Sequence, residues 1–372
     1  IFSHPATQHL NHLVVLNDAE EAAYFFNSIE SVTDAMDLFY FPSSYKMPHH
    51  FGSLNSSHIM LRTEALTKIS MGGNKKIVVT YAEALFEKVI LPSTLKQNII
   101  QIKTNDSLDV YGLVQQLVDY GFERTDFVYE PGQFALRGGI FDIYSFGNEK
   151  PYRIELFGEE VDSIRIFDPA TQLSERKLLQ VNIIPNVTTQ FDDTTKISLL
   201  NYLSKDCLIW LKDWNVTKQK GMDQQEALWD FLALPSSLQV NQENELQKKQ
   251  IQKEDFETVE DTELQLSSKH IIEWGFQANL SNEKLVFNTQ AQPSFNRQFQ
   301  YLIENIQTYE KKGYHIFIFA EQAKQLERLH AIFTDLKTEI NFTPIVKNIF
   351  EGFIDHDHQL ICYTDHQIFQ RY

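Results

Sequence analysis

The amino-acid sequence predicts an α/β protein with an antiparallel, β-rich segment near its middle. Apolar runs alternate with amphipathic helices over the first hundred or so residues and again after residue 188, a pattern that favours parallel sheets covered by helices. Between about residues 126 and 167, short strands follow one another with turn residues between them, which favours a small antiparallel sheet. The chain has 372 residues, of which 42% are hydrophobic and 13% aromatic, enough to build real cores. The length suggests roughly two to four domains.

The first predicted domain covers residues 1–105. Its helix at 19–29 follows a helix-start signal, Asn17-Asp18, and places Ala22, Phe26 and Ile29 on one face. The turn-rich, polar residues 42–57 are predicted to form a loop. The other predicted elements are strands at 13–16, 37–41 and 77–80 and helices at 64–69 and 81–88.

The second predicted domain covers residues 106–187. It begins with an amphipathic helix at 108–120, in which Leu113, Leu117 and Tyr120 are aligned. The strands predicted after it lie at 126–129, 134–146, 152–157 and 161–167.

Two further α/β domains are predicted, at residues 188–288 and 289–372. The first has a strand at 207–211, a helix near 224–234 and a very polar stretch, 239–266, that is interpreted as a solvated helix or a mobile connector. The second alternates two apolar helical stripes with three strands; these elements are the stripes at 295–309 and 323–336 and the strands at 314–319, 342–349 and 359–363.

Composition and missing motifs exclude several classes of protein. The chain carries 33 basic and 50 acidic residues, a net charge of −17, which argues against a nucleic-acid-binding surface spread over the whole chain. Two cysteines do not form a disulfide scaffold, and a reducing cytoplasm fits best. No apolar run approaches the length of a membrane span, and no signal peptide opens the chain. The chain begins at Ile1 without a methionine and is interpreted as part of a longer protein.

Nucleotide and metal chemistry have weak candidates. No P-loop is present, and the nearest match, Met71-Gly72-Gly73-Asn74-Lys75-Lys76, has the wrong spacing and is interpreted as a plain turn. Three histidines and a cysteine near the end of the chain are zinc-type ligands, but alternation in the strand at 359–363 would bury the cysteine away from the histidines; they are His356, His358, Cys362 and His366. No cofactor is therefore predicted for this chain.

The strand at 152–157 carries the residues that point to a function. Period-2 alternation places Tyr152, Ile154 and Leu156 on one face, and the opposite face carries Arg153 and Phe157. An exposed Phe beside an Arg is typical of a protein-binding hot spot. Arg137, on the preceding predicted strand, lies within reach if the hairpin pairs normally. The plainer interpretation, in which Phe157 is ordinary core and Arg137 and Arg153 are surface charges, remains open at this point.

The charge balance around these residues favours a protein partner. Residues 106–187 contain 7 basic and 14 acidic residues, so this sheet is not expected to grip DNA.

The same segment carries a resemblance to a known family. Residues 129–143 read YEPGQFALRGGIFDI and residues 151–165 read PYRIELFGEEVDSIR, followed by Phe167-Asp168. These runs closely resemble the bacterial transcription-repair coupling factors (Mfd) and, less closely, the excinuclease subunit UvrB. Weaker similarity covers most of the chain, including residues 12–26 and 352–372.

The resemblance implies a fold and a partner. It implies a UvrB-like module, in which a split parallel-sheet α/β domain contains an inserted antiparallel β-rich (α+β) domain and is followed by a small α/β domain. In that family the inserted domain docks the repair protein UvrA through two arginines and a phenylalanine, which fall by motif position on Arg137, Arg153 and Phe157. The family's C-terminal region covers this surface in the full-length protein, so regulated exposure is implied.

The resemblance also implies what this chain lacks. The family's ATP-dependent DNA translocase, with its ATP, magnesium, RNA polymerase and double-stranded DNA contacts, lies beyond the end of this chain, so no enzyme activity is expected here. The stretch at 40–57 is too short for the DNA-threading hairpin of UvrB. Two alternatives stay open: a UvrB-like DNA-binding module of excision repair and an ATP-hydrolysing enzyme.

Overall fold

A computed structural model describes most of the chain, and the protein divides into two compact units. The described residues are 7, 9–33, 37–47, 49–51, 54–73, 75–186, 196–235, 251–275, 280 and 283–370. Unit 1 comprises residues 1–22 and 37–280, and unit 2 comprises residues 23–36 and 281–372.

The strands of unit 1 form two large sheets and two short ribbons. In chain order they are β1 His12–Leu16, β2 Asp37–Tyr40, β3 Lys76–Tyr81, β4 Val89–Ile90, β5 Ile100–Lys103, β6 Glu123–Arg124, β7 Gln133–Arg137, β8 Ile140–Ile143, β9 Tyr152–Phe157, β10 Glu160–Phe167, β11 Ser174–Leu178, β12 Gln180–Ile183, β13 Lys196–Ile197, β14 Leu208–Lys212 and β15 His270–Trp274.

The helices of both units connect and cover the strands of their own unit. In chain order, continuing to the end of the chain, they are α1 Ala19–Val32, α2 Ser56–Ser70, α3 Ala82–Leu85, α4 Pro92–Gln97, α5 Val110–Asp119, α6 Leu199–Tyr202, α7 Trp214–Ala233, α8 Val259–Leu266, α9 Phe299–Glu310, α10 Ala323–Asp335 and α11 Asp365–Phe369. A short 3-10 helix spans Lys253–Asp255.

A five-stranded parallel sheet forms the first layer of unit 1. Its strand order is β15-β14-β1-β3-β2, and every neighbouring pair is parallel. The central strands β1 and β3 are buried along their whole length, as expected for a sheet that is covered on both faces. Strands from before residue 100 and after residue 200 therefore join in one sheet, and the chain between them forms other structure.

That intervening chain forms a six-stranded sheet with the order β11-β10-β9-β8-β7-β6. All its pairs are antiparallel except the short parallel pair β6–β7. One face packs on α5, whose Leu113 and Leu117 join Phe134, Phe141 and Ile154 in a common core. The antiparallel ribbon β5–β12 pairs the two ends of the segment.

Unit 2 contains a five-stranded mixed sheet. Its strands are β16 Thr289–Ala291, β17 His315–Ala320, β18 Thr343–Val346, β19 Phe353–Asp355 and β20 Leu360–Thr364, in the order β16-β19-β20-β17-β18. The pairs β17–β18 and β17–β20 are parallel, and β19 pairs antiparallel with both its neighbours. Its core collects the apolar stripes of α9 and α10, including Leu302, Ile306, Leu326 and Leu329.

The α/β class, with a parallel sheet and a separate antiparallel sheet, is confirmed, but several predicted elements are wrong. Residues 126–129 form no strand, and the predicted strand at 134–146 is a hairpin, β7 and β8, because Gly138 and Gly139 turn the chain between them. The helix predicted at 81–88 is the four-residue α3.

The predicted polar loop at 42–57 has an apolar interior. Tyr45, Phe51 and Leu54 are buried in the core shared with the six-stranded sheet. A buried ion pair holds the loop at its base: Arg62 lies 3.3 Å from Glu87, which accepts hydrogen bonds from the backbone N–H of Ser44. Of the polar stretch 239–266, residues 239–250 lie outside the described residues, and the rest contains the short 3-10 helix and α8.

Candidate functional site

The three residues singled out in the sequence lie on one face of the six-stranded sheet. Arg153 and Phe157 are four residues apart in β9, so strand alternation points both side chains to the same side. Arg137 of β7 is opposite Ile140 of β8, which in turn is opposite Glu155 of β9. Because directly opposed residues of paired strands share a face, Arg137 joins the other two.

A tight turn brings Arg137 to this face. Gly138 has φ +59°, in the left-handed region, where glycine carries no steric cost. At Gly139, an added Cβ would lie 2.9 Å from the carbonyl oxygen of Leu156, and the backbone N–H of Leu156 donates to the Gly139 carbonyl at 2.7 Å. The backbones of the β7–β8 turn and β9 therefore touch directly, and this contact requires glycine at residue 139.

A buried carboxylate binds both arginines. Asp142 of β8 has no exposed surface and is directly opposite Arg153. Nε and an Nη of Arg153 donate to the two Asp142 oxygens at 2.8 Å each, a bidentate pair. An Nη of Arg137 donates to Asp142 Oδ2 at 2.5 Å. The hydrogen bonds that Arg153 donates to Asp142 raise the pKa of the Arg153 guanidinium, so it stays charged.

Each guanidinium also lies over an aromatic ring and donates to a backbone carbonyl. The Arg137 guanidinium carbon is 4.6 Å from the centre of the Phe127 ring, and Arg137 donates to the Asp126 carbonyl. The Arg153 guanidinium carbon is 4.5 Å from the centre of the Phe167 ring, and Arg153 donates to the Gln172 carbonyl at 3.0 Å. These contacts hold both side chains in defined positions.

The pair nevertheless keeps hydrogen-bonding capacity and charge. A guanidinium has five N–H donors, and three of those of Arg153 and two of those of Arg137 have acceptors within the described chain. Two positive charges share one carboxylate, so the cluster has an excess positive charge. The Arg137 side chain is 32% exposed and that of Arg153 is 15% exposed, so a partner reaches Arg137 more easily.

Phe157 lies on the open end of the same face. It is the last residue of β9 and is 84% exposed, so the interpretation of Phe157 as ordinary core is wrong. The other end of this face is covered, where Met60 of α2 packs on Val128, Ala135 and Phe167. A large apolar side chain in water beside two arginines has the composition of an interface centre.

Arg165 and Glu155 form a separate ion pair on this face. Arg165 donates to Glu155 at 3.1 Å, and the Ser163 hydroxyl donates to the same carboxylate at 2.6 Å. These side chains are about one-third exposed, so the pair contributes little to stability.

Sequence reasoning missed Asp142 and Phe127. A lone Asp between Phe141 and Ile143 in an apolar run was a usable signal, because a buried carboxylate requires a cationic partner. Phe127 was assigned to a strand that does not form, and its contact with Arg137 depends on how the loop after β6 folds back.

The other sequence candidates lie elsewhere in the structure. Within the described ranges, no group of three or more His, Cys, Asp or Glu side chains is arranged to hold a metal ion. Cys362 is buried in β20, as alternation predicts, whereas His358 pairs with Asp355 at 2.9 Å. Gly72, Gly73 and Lys75 have positive φ angles and precede β3, and Asn74 lies outside the described residues. Among the helices that the structure describes, none has the length and apolar character needed to span a membrane.

Comparison with known proteins places the site in a recognised segment. Residues 100–188 match the model of the UvrB interaction domain family. Among curated proteins, the chain is similar to transcription-repair-coupling factors from three bacteria. The protein from Haemophilus influenzae is 28% identical over 50% of this chain and 16% of its own length. The protein from Bacillus subtilis is 34% identical over 43% of this chain and 14% of its own length. The protein from Staphylococcus aureus is 30% identical over 52% of this chain and 16% of its own length. The matched part spans about a sixth of the length of these relatives.

Proposed function

We propose that this chain, a relative of the transcription-repair-coupling factors that contains a UvrB interaction domain, recruits the repair protein UvrA to stalled RNA polymerase. The observation that carries the proposal is the exposed Phe157 beside the Arg137–Asp142–Arg153 cluster, on an open sheet face within residues 100–188. The proposal includes the UvrB-like arrangement, in which the six-stranded sheet is an insertion in a split parallel-sheet domain.

The mechanism is binding without chemistry. Phe157 inserts into an apolar pocket of UvrA, and the loss of its exposed surface supplies much of the binding free energy. The excess positive charge of the arginine cluster attracts an acidic group of UvrA. This group accepts hydrogen bonds from the remaining N–H donors of Arg137 and Arg153. Because Asp142 already orients both guanidinium groups, little side-chain entropy is lost on binding.

The longer protein supplies the remaining activities. We propose that other regions bind ATP and magnesium, move on double-stranded DNA and contact RNA polymerase. We further propose that its C-terminal region covers the Phe157 face, so that UvrA docking is regulated. A full-length protein that bound UvrA as tightly as this chain would contradict such covering.

A calorimetric titration of this chain with UvrA tests the proposal. The parent chain is expected to bind, and Phe157→Ala and Arg137→Ala are each expected to weaken binding by more than about tenfold, which corresponds to a loss above ~1.4 kcal/mol. These substitutions suit the test because Phe157 is exposed and Arg137 is the more accessible arginine, whereas loss of Arg153 would strand the buried Asp142.

Tyr111→Ala is the matched control for this titration. Tyr111 is 91% exposed on α5, which packs on the opposite face of the sheet. It is therefore expected to leave binding unchanged. If Tyr111→Ala weakens binding as much as Phe157→Ala, the proposed location of the interface is wrong. If the parent chain does not bind UvrA at all, the proposed function is wrong.

A further inference from the structure

Phe127 is an exposed aromatic side chain on a firmly held segment. The backbone on either side of it is anchored: the Asp126 carbonyl accepts from Arg137, and the Val128 carbonyl accepts from the Gln172 side chain at 3.1 Å. Val128 itself is fully buried. The Phe127 ring nevertheless remains 48% exposed. The segment is fixed by its neighbours while its largest apolar group faces water.

The ring is joined to the arginine cluster. It lies against the Arg137 guanidinium, with the ring centre 4.6 Å from the guanidinium carbon. One surface of the ring therefore covers Arg137, and the rest is free to contact another molecule. A cation–π contact of this kind also limits the motion of the ring, which lowers the entropy cost of binding through it.

We propose that the docking face extends past Arg137 and that Phe127 is its second apolar anchor, in direct contact with the partner. This inference rests on the proposed function and names the same occupant, UvrA. Phe127 lies against Arg137, whereas Phe157 is the last residue of β9.

The arrangement specifies the chemistry of the partner surface. The Arg137–Asp142–Arg153 cluster has an excess positive charge within a segment that carries 7 basic and 14 acidic residues, so an acidic group is the complement at the centre. The complement to each exposed ring is an apolar recess that receives it. Such recesses would exclude water from the central ion pair and strengthen it.

A titration with UvrA separates this inference from the proposed function. The chain and its Phe127→Ala, Phe157→Ala and Tyr111→Ala variants are compared by calorimetry. We expect Phe127→Ala to weaken binding by about tenfold and Tyr111→Ala to leave it unchanged. If Phe157→Ala weakens binding but Phe127→Ala behaves like Tyr111→Ala, the second anchor is wrong and the proposed function stands. If the parent chain does not bind, both are wrong.

A double variant distinguishes direct contact from support of Arg137. If Phe127 contacts UvrA, then Phe127→Ala weakens binding further when Arg137 is already alanine. If Phe127 only holds Arg137 in place, Phe127→Ala has no effect in that background, and the inference is overturned.

A photo-crosslinking amino acid gives a second readout that does not depend on affinity. Placed at residue 127, it is expected to crosslink to UvrA, and placed at residue 111 it is not. No crosslink from residue 127 under conditions in which the chain is bound would overturn the inference.

Discussion

At the scale of single residues, Asp142 decides how the arginines are presented. Its carboxylate is completely buried, and it accepts from Arg137 and from Arg153. A buried charge without its partners costs several kcal/mol, so the carboxylate and the two guanidinium groups stabilise one another. Glu155, on the same face, makes a similar pair with Arg165 but remains about one-third exposed.

Asp142→Asn is therefore expected to destabilise the fold by about 3 kcal/mol, because it removes the charge that compensates two partly buried arginines. Glu155→Gln, the matched control, is expected to cost less than about 1 kcal/mol, since solvent screens its ion pair. Urea unfolding followed by circular dichroism measures both. Equal losses for the two variants would mean that burial of Asp142 has no special role.

At the scale of single elements, the β7–β8 hairpin depends on two adjacent glycines with different functions. Gly138 needs a left-handed conformation but has open space around it, with nothing within 4 Å of an added Cβ. Gly139 needs room, because the Leu156 carbonyl lies 2.9 Å from where its Cβ would be. The first demand is met by some other residues, notably Asn, whereas the second is met by glycine alone.

Gly139→Ala is thus expected to lower the free energy of unfolding by about 2 kcal/mol or more and to weaken binding to UvrA, because the hairpin that carries Arg137 must move away from β9. Gly138→Asn should cost less than about 1 kcal/mol and leave binding intact. Thermal unfolding together with the calorimetric titration checks both variants. A larger loss of stability in Gly138→Asn than in Gly139→Ala would contradict this. It would show that the left-handed conformation of Gly138, and not the contact of Gly139 with Leu156, determines whether the turn forms.

Strand β1 of the parallel sheet contains a histidine that should make stability depend on pH. His12 is buried, its Nδ1 accepts from the indole N–H of Trp210 at 3.1 Å, and its Nε2 lies 3.2 Å from the Thr7 carbonyl. Desolvation by burial lowers the pKa of His12 below its ordinary value of 6.5. His12 of the unfolded chain therefore takes up a proton at a higher pH than His12 of the folded chain. The contribution of neutral His12 to the free energy of unfolding is fully present above pH 6.5 and is lost as the pH falls below it.

The free energy of unfolding is expected to decrease between pH 7 and pH 5, and the decrease should be smaller in His12→Gln, which cannot take up the proton. Urea midpoints measured across this range test the expectation. A His12→Gln variant with the same pH dependence as the parent would assign the proton uptake to other groups.

At the scale of the whole molecule, net charge favours the proposed docking to a protein over binding to DNA. A net charge of −17 repels nucleic acid, and the cationic cluster on the six-stranded sheet is small and partly neutralised by Asp142. We therefore expect the chain to dock a protein while having negligible affinity for duplex DNA.

Fluorescence anisotropy with a labelled duplex, at about 50 and about 200 mM salt, measures this affinity. No binding is expected at either concentration, while UvrA is bound at both. Binding to the duplex at low salt that is lost steeply at high salt would instead favour the DNA-binding alternative.

The sequence by itself determined what depends on local pattern. Alternation in residues 152–157 was enough to place Arg153 and Phe157 on a face away from the core, and the run of apolar segments and helices predicted a parallel sheet on either side of the β-rich segment. The quoted runs of residues 129–143 and 151–165 were enough to indicate the relationship to the coupling factors, because they lie within the matched domain. These features repeat every two or four residues, or are contiguous in the chain, so no knowledge of distant neighbours is needed.

Only the tertiary structure decided which residues meet across strands and loops. The bridging role of Asp142 depends on the register of β7, β8 and β9, and the contact of Phe127 with Arg137 depends on a loop that local pattern assigned to a strand. The burial of Tyr45 and Phe51 in a stretch that looks polar depends on packing against Phe231 and Phe256, which lie far away in the sequence. In each case the deciding free energy comes from desolvation and pairing between distant segments, which periodicity within a short window does not contain.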